Sequence, residues 1–510
     1  MSLKKLVGFE TLLEIVKNLK KEGKKIVYAH GAFDLLHTGH IHHLEEAKKL
    51  GDVLIVTITA DRFIKRGAGR PRFKQEERAR FVAALECVNY VSISDSADCA
   101  DAINLLQPDF YAKGEDVKEK ADDLKEGLYR EIKALEDCGG EIKFLESLPI
   151  HSTELLNEFF NIYPSHVKDF LKEFRKKYSF EMILETLQKI KKLKVLAIGD
   201  AIIDVYQYVS VMSKSPKSNH ITTWGLSEEE FAGGVMACAN HLAGFCEKVD
   251  LVTCLGSQNS KEEFIRANLG KNIQPQFFYR HDAPTTLKKR FVEPAYLTKM
   301  FEIYHFNDAD LLPELKKELR QYLESRINEY DIVLVADYGH GFLAEEIINL
   351  LCERAKFLAV NVQTNSANYG FNLITKYPRA DYICIDEAEI RLATHSRLGR
   401  LELLARKIGE KTQSNKISIT CGHHGCMTFS QTEGFSQIPV LSTKVVDTIG
   451  AGDAFFSVSS PWAVLGLPME LVGFIGNVAG AIKVGTLCNK SAVGANQLKD
   501  FIERLLAGRN

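Results

Sequence analysis

The strongest constraint on this chain is an alternation, met twice, of short apolar runs with amphipathic stretches. Within residues 1–160 the apolar runs are 25–30 (KIVYAH), 52–60 (DVLIVTITA), 90–94, 109–112 and 141–145. Between them, 39–50, 75–86 and 98–106 read as helices; Ile41, Leu44 and Ala47 fall near one face of the first. Strands apolar on both faces need cover on both faces, and intervening helices supply it through parallel crossovers. The pattern predicts a doubly wound, Rossmann-like α/β domain over residues 1–160. Strand signals then stop. Residues 161–178 (NIYPSHVKDFLKEFRKKY) are charged, carry Pro164 near their start and read as a helical linker. A second alternation opens at Lys194 with KVLAIGD and continues through 250–255, 331–336, 357–361, 382–385 and 416–420. It predicts a second α/β domain over 179–510, with the less regular stretch 205–224 as a small β lid.

Charge and cysteine usage narrow the function. Lys+Arg is 65 against Asp+Glu 67, a net charge of -2. That balance offers no general attraction to nucleic acid or to an anionic membrane, so phosphate binding must come from local sites. No apolar run reaches the ~18 residues a membrane span needs, and residues 1–10 lack the apolar core of a signal peptide. The eleven cysteines form no CxxC pair. The expectation is a reduced, cytoplasmic protein.

The first constellation lies in YAHGAFDLLHTGHIHHLEEA, starting at Tyr28. A strand ends at His30, a glycine turn follows, and a helix starts near Gly39 with His37 and His40 flanking its N-terminus. Backbone N–H groups there are unpaired and the helix dipole favours negative charge. Imidazoles at that point can donate to phosphate oxygens, as transfer at an α-phosphate requires. A turn of solvated histidines, or a metal cluster of His37, His40, His42 and His43, are the alternatives; Gly31, Phe33, Asp34 and Gly39 complete a phrase that favours the phosphate reading. Lys65 and Arg70 occupy a Gly-rich loop that is either a solvated basic turn or a further phosphate contact. Lys113 stands at a strand's carboxyl end, where open α/β sheets bind ligands.

The second constellation is VDTIGAGDAF at 446–455. Gly450 and Gly452 permit a tight turn into a helix starting at the aspartate. The N–H groups of Gly450, Ala451 and Gly452 then form an anion hole for a transferring phosphoryl group. Asp453 sits beside it, placed to accept a hydroxyl proton, unless it is simply an N-cap. CGHHGC at 421–426 lacks the usual zinc-ligand layout and reads as a turn. Asp200 reads as a turn residue, and the basic helix at 397–411 as a solvated face.

Both phrases resemble known families. GAFDLLHTGH, with KRGAGRP at 65–71, Arg78 and FYAKGED at 110–116, is similar to the cytidylyltransferase-like nucleotidyltransferases. That resemblance implies triphosphate binding and transition-state stabilisation by His37 and His40, and contacts from Ser152 and Thr153 in HSTELL, where Glu154 replaces the usual third hydroxyl. DTIGAGD resembles the signature of the ribokinase-like (PfkB) carbohydrate kinases. The likeness implies a sugar-hydroxyl contact at Asp204 and sugar binding at Gly233 and Gly234. It also implies a lid and phosphate-contact segment at 285–291 (TTLKKRF) and a loop at a strand end at 337–341 (DYGHG). A nucleotide turn at Thr420, Gly422 and Gly425, and water-mediated Mg²⁺ at Glu389, complete it. Ala237, Asn361 and Asp386 depart from that family's Asn, Asp and Asn.

Together the halves resemble the bifunctional heptose-phosphate kinase/nucleotidyltransferases of nucleotide-sugar synthesis, in reversed domain order. The resemblance implies ATP-dependent phosphorylation of a sugar phosphate at its anomeric hydroxyl and removal of the original phosphate by a separate phosphatase. Nucleotidyl transfer from ATP or CTP to the sugar 1-phosphate then releases pyrophosphate. It implies small-molecule partners and self-association into a homo-oligomer. Two rivals stay open: a non-catalytic kinase fold serving binding or dimerisation, and an alditol or amino-alcohol phosphate as acceptor in the first half.

Overall fold

The computed structural model describes residues 5–64, 71–96, 99–115, 125–145, 163–442 and 444–506. Lys65, Arg70, Ser152, Thr153 and Glu154 lie outside these. The chain divides into two compact units, Met1–Ile162 with Glu503–Asn510, and Tyr163–Ile502.

The first unit holds β1 (Ile26–Gly31), β2 (Val53–Thr59), β3 (Tyr90–Ser94), β4 (Phe110–Gly114) and β5 (Glu141–Leu145). They form one sheet in the order β3-β2-β1-β4-β5, every pair parallel. Successive side chains alternate faces: Ile26, Tyr28 and Ile55 enter one core with Leu12 and Ile103, while Val27, Ala29, Leu54 and Val56 enter another with Leu44 and Val82. Two buried faces explain why these strands read as unbroken apolar runs. Strand order reverses between β1 and β4, so the ligand crevice of such a sheet opens outside their carboxyl ends.

In the second unit, nine strands make the main sheet: β6 (Val195–Gly199), β9 (Val249–Gln258), β10 (Ile273–Pro284), β13 (Ile332–Asp337), β14 (Leu358–Val362), β15 (Tyr382–Asp386), β16 (Lys416–Thr420), β17 (Cys426–Ser430) and β18 (Gly434–Ile438). Their order is β10-β9-β6-β13-β14-β15-β16-β17-β18, antiparallel only at the last two pairings. A separate four-stranded sheet, β12-β11-β7-β8, is built from β7 (Ala201–Lys214), β8 (Ile221–Gly234), β11 (Leu287–Glu293) and β12 (Thr298–His305). The expected lid is thus larger than 205–224, because its far strands carry a mixed, half-exposed pattern that periodicity does not flag. Helices Val235–Ala243, Ala451–Val464 and Met469–Lys483 are buried around most of their circumference, as their continuous apolar sequence demands.

From Tyr163 onward the stretch expected as a linker belongs to the second unit. Its helix Ser165–Lys177 buries Val167, Leu171 and Phe174, Phe174 stacks on Phe474 at 4.1 Å, and Lys177 pairs with Glu470 at 2.9 Å. An i, i+4, i+7 apolar stripe is enough to dock a helix that is otherwise densely charged. Among the described residues no helix is long and apolar enough to cross a membrane.

Candidate functional site

In the first unit, β1 runs into helix Thr38–Lys48, whose N-cap is His37. The His37 Nδ1 accepts the N–H of Gly39 at 3.1 Å, so the neutral ring carries its proton on Nε2 and presents a donor there. The His40 ring lies 3.9 Å from that of His37 and 5.1 Å from that of Phe33. The other motif residues are supports. A Cβ on Gly31 would stand 2.8 Å from the Phe33 ring. The buried Asp34 accepts the N–H groups of Arg72 (2.5 Å) and Phe73 (3.2 Å) through Oδ1, tethering that segment to the motif. Arg78, fully buried, donates to Ala32 O, to Thr59 O and Asp61 at 2.7 Å, and to Phe73 O at 3.0 Å. Lys113 on β4 is ion-paired with Glu131, its ammonium 5.2 Å from the Tyr111 ring centroid. Glu131 also accepts from Cys99 Sγ at 3.0 Å, and burial pushes the Cys99 thiol and the Tyr111 phenol upward.

In the second unit the turn before Asp453 is set by Gly450. It is the N-cap of helix Ala451–Val464 at φ 79°, and a Cβ there would fall 2.3 Å from Asn489 Oδ1. Only glycine meets both demands. The helix starts earlier than the sequence suggests, so Asp453 is not its N-cap. Its Oδ1 accepts the Tyr338 hydroxyl at 2.7 Å and Gln363 Nε2 at 2.8 Å. A Cβ on Gly452 would meet nothing within 4 Å, leaving the helix mouth open. Burial raises the Asp453 carboxyl above its ordinary value, against the pull of those two hydrogen bonds.

The residues expected on the sugar side converge on Asp204. Its Oδ1 pairs with Arg290 Nη1 at 2.5 Å, and Oδ2 lies 3.4 Å from Asn489 Nδ2. Arg290 in turn reaches Glu302 at 3.1 Å. Gly233 packs directly against this carboxylate: a Cβ there would sit 2.2 Å from Oδ2. Gly234, next in chain, caps helix Val235–Ala243. Asp200 braces the loop after β13, accepting the N–H of Tyr338 at 2.8 Å. Lys288 on β11 is buried, with its ammonium 5.0 Å from the Tyr304 ring centroid and 5.8 Å from that of Tyr338. Beside the Gly233–Gly234 turn a cavity of about 640 Å³ is lined by Phe231, Ala232, Ala237, Asn240, His241 and Asn489.

Of the residues expected at a nucleotide, Thr420 ends β16, and the turn over Gly422 and Gly425 closes through Cys421 N–H to Gly425 O at 2.8 Å. Glu389 is engaged locally. Its Oε1 accepts Thr364 N–H at 2.9 Å and its Oε2 accepts Asp386 N–H at 3.0 Å, completing a capping box on helix Glu387–Ala393. Burial lifts its carboxyl to about 7. With both oxygens committed to backbone donors, it does not fit a direct metal ligand. Asn361 donates to Cys384 O at 2.9 Å and accepts Gln363 Nε2 at 3.1 Å, a structural pairing. Among the described residues no group of three or more His, Cys, Asp and Glu is gathered for a metal, at CGHHGC or elsewhere.

Tyr338, Gln363, Lys288, Arg290 and Asn489 are missing from the sequence reading as individual residues. The segments TTLKKRF and DYGHG signal three of them; nothing local signals Gln363 or Asn489.

With that geometry described, comparison with known proteins decides the family. A model of the pfkB family of carbohydrate kinases matches residues 192–488, more than half of the chain. The chain belongs to that family. Ahead of this pfkB domain, a cytidylyltransferase-like model matches residues 28–158. Curated relatives match in the N-terminal part. The bifunctional protein HldE of Methylobacillus flagellatus is 37% identical over 151 residues, 29% of this chain and 30% of that one. The bifunctional protein HldE of a Nitratiruptor species is 45% identical over 114 residues, 22% of this chain and 25% of that one. The chain thus spans a third or less of the length of these relatives. Phosphofructokinase-2 from Escherichia coli, solved in complex with potassium, superposes with a TM-score of 0.50 at 13% identity. The match covers 62% of this chain and 99% of that one, a likeness of fold alone.

Proposed function

We propose that this chain is a bifunctional enzyme of nucleotide-sugar synthesis. Its pfkB domain phosphorylates a heptose-like sugar phosphate with ATP. Its N-terminal unit transfers a nucleotidyl group from ATP or CTP to a sugar 1-phosphate and releases pyrophosphate. The observation that carries the reading is Asp453, a buried carboxylate aimed by two hydrogen bonds at the open N-terminus of a 14-residue helix.

Oδ1 of Asp453 holds both donors, so Oδ2 is the oxygen that takes the proton from the attacking sugar hydroxyl. The hydroxyl oxygen then bonds to the γ-phosphorus, the bond to the ADP oxygen breaks, and the N–H groups at Gly450, Ala451 and Gly452 receive the charge. Mg²⁺ would enter on the nucleotide's own phosphates, with few protein carboxylates. Lys288 supports a phosphorylated substrate: it is buried and has no hydrogen bond or ion pair among the described residues, and a substrate phosphate would match its charge. Asp204, held by Arg290, and Gly233 and Gly234 line the sugar side; Thr420, Gly422 and Gly425 form the nucleotide turn.

In the N-terminal unit a sugar 1-phosphate oxygen attacks the α-phosphorus in line as pyrophosphate leaves. His37, His40, Lys65, Arg70 and the helix N-terminus stabilise the charge, and Lys113, Ser152 and Thr153 complete the nucleotide site. Glu389 organises Mg²⁺ only through water in this scheme. Self-association into a homo-oligomer and a cytoplasmic location complete the proposal.

The test incubates the protein with ATP and a panel of sugars and sugar phosphates, following ADP, then with each nucleoside triphosphate and sugar 1-phosphates, following pyrophosphate. ADP release with a sugar phosphate and not with its dephosphorylated form is the expected outcome. Pyrophosphate release with no ADP from any substrate would favour the second reading, a binding module. The Asp204–Arg290 ion pair, Ala237, Asn361 and Asp386 speak for that alternative.

A further inference from the structure

Helix Met469–Lys483 is apolar along nearly its whole length and ends in a buried lysine. By sequence Lys483 is an ordinary last-turn cation facing the negative end of its helix. Its surroundings give it more. The ammonium donates to the carbonyl of Cys488 and to Thr486 Oγ1 at 3.1 Å. Its Cε lies 3.1 Å from the point where a Cβ on Gly450 would stand, directly behind the turn that forms the anion hole. The segment it holds is laced into that turn: Val446 N–H donates to Val484 O at 2.7 Å, and Cys488 N–H to Asp447 Oδ2 at 3.0 Å. Asp447 is further tied to Tyr206 at 2.6 Å and Lys299 at 2.7 Å.

Burying an ammonium costs several kcal/mol unless charge and hydrogen bonds compensate it. Burial lowers the Lys483 pKa, and the nearby Asp447, Asp453 and Asp204 act against that. A leucine or methionine would end this apolar helix without the desolvation cost, so packing gives no reason for a charge here.

We propose that Lys483 is a positioning residue for phosphoryl transfer: a tethered monovalent cation, liganded by one carbonyl and one hydroxyl, that holds the Asp447–Asp453 turn in its anion-receiving form. Because a polyphosphate and the transferring phosphoryl group bring negative charge to that turn, the cation packed against it stabilises the loaded state over the empty one. Removing it leaves a small oxygen-lined vacancy suited to a free monovalent cation.

The inference rests on the kinase reading, and the experiment separates the two. Lys483→Met is expected to lower kcat for phosphoryl transfer by about 100-fold with the sugar KM within threefold of wild type. In Lys483→Ala, ammonium or potassium chloride should restore about tenfold of the loss, where tetramethylammonium chloride at equal ionic strength restores none. Pyrophosphate release by the N-terminal unit and the near-ultraviolet circular dichroism report on folding. Should the Lys483 variants fail to fold, Thr486→Val removes one ligand of the ammonium and leaves the helix intact; a fall of about fivefold in kcat is expected. Unchanged kcat in the folded Lys483 variants, or in Thr486→Val, overturns the proposal, as does equal rescue by all three salts. A wild-type chain that binds ATP but phosphorylates nothing defeats the kinase reading alone. Lys483 is then judged by ATP affinity, expected to weaken about tenfold in Lys483→Met; an unchanged affinity overturns it.

Discussion

Each unit sets its candidate side chains at a helix N-terminus, entered through a left-handed residue (Phe33 in the first, Gly450 in the second), yet the two arm it differently. The first presents imidazoles, with His37 capping the helix through Nδ1 and the His40 ring tilted against that of His37 at 3.9 Å. The second presents a carboxylate, Asp453, on a buried helix. The difference follows from the nucleophile each reading assigns. A sugar phosphate is already anionic near neutrality, with a second pKa of about 6, so its attack needs charge stabilisation and no base. A sugar hydroxyl must lose a proton, so the second site needs an acceptor beside its anion hole. In the proposed reading one backbone device serves both, and the side chain added to it sets the chemistry.

The sharpest way to break this contrast is Asp453→Asn. ADP formation should fall by about 10³-fold or more while pyrophosphate release is unchanged; parallel loss of both would show that the sites are not independent. His40→Ala should give the mirror image, a fall of about 10²-fold in pyrophosphate release with ADP formation intact. A smaller effect sharpens the role of Oδ1. The Tyr338 hydrogen bond favours the ionised carboxylate, so Tyr338→Phe should raise the Asp453 pKa. The acidic limb of the kcat/KM profile should then move to higher pH by about one unit; an unmoved limb would remove Asp453 as the titrating base.

The smallest effect concerns Glu389. Its folded pKa of about 7 stands above the ordinary 4.5, so the folded state keeps a proton that the unfolded chain releases in between. Its contribution is therefore complete below pH 4.5 and is lost as pH rises through about 7. Glu389→Gln keeps an acceptor for the cap and should flatten the pH dependence of unfolding of the second unit across that window. A variant whose unfolding tracks wild type at every pH would count against the buried, protonated carboxyl.

Much of this was legible in the sequence. Strand ranges such as 25–30 and 52–60 match β1 and β2 to within about a residue at each end, because strands buried on both faces are written as unbroken apolar runs. The second sheet of the pfkB domain was harder: β8 and β12 are largely exposed and carry no clean period. The helix Ser165–Lys177 hid its docking stripe beneath charge.

By itself the sequence determined the two helix-entry turns, since a turn and the first residues of a helix are local: Gly450 and His37 act on backbone within a few positions of themselves. Tertiary structure alone decided which side chains face those turns. Tyr338 and Gln363 reach Asp453 across 115 and 90 residues, and Arg290 reaches Asp204 across 86. Partners so distant are chosen by strand order and crossover path, and no pattern local to either residue encodes them.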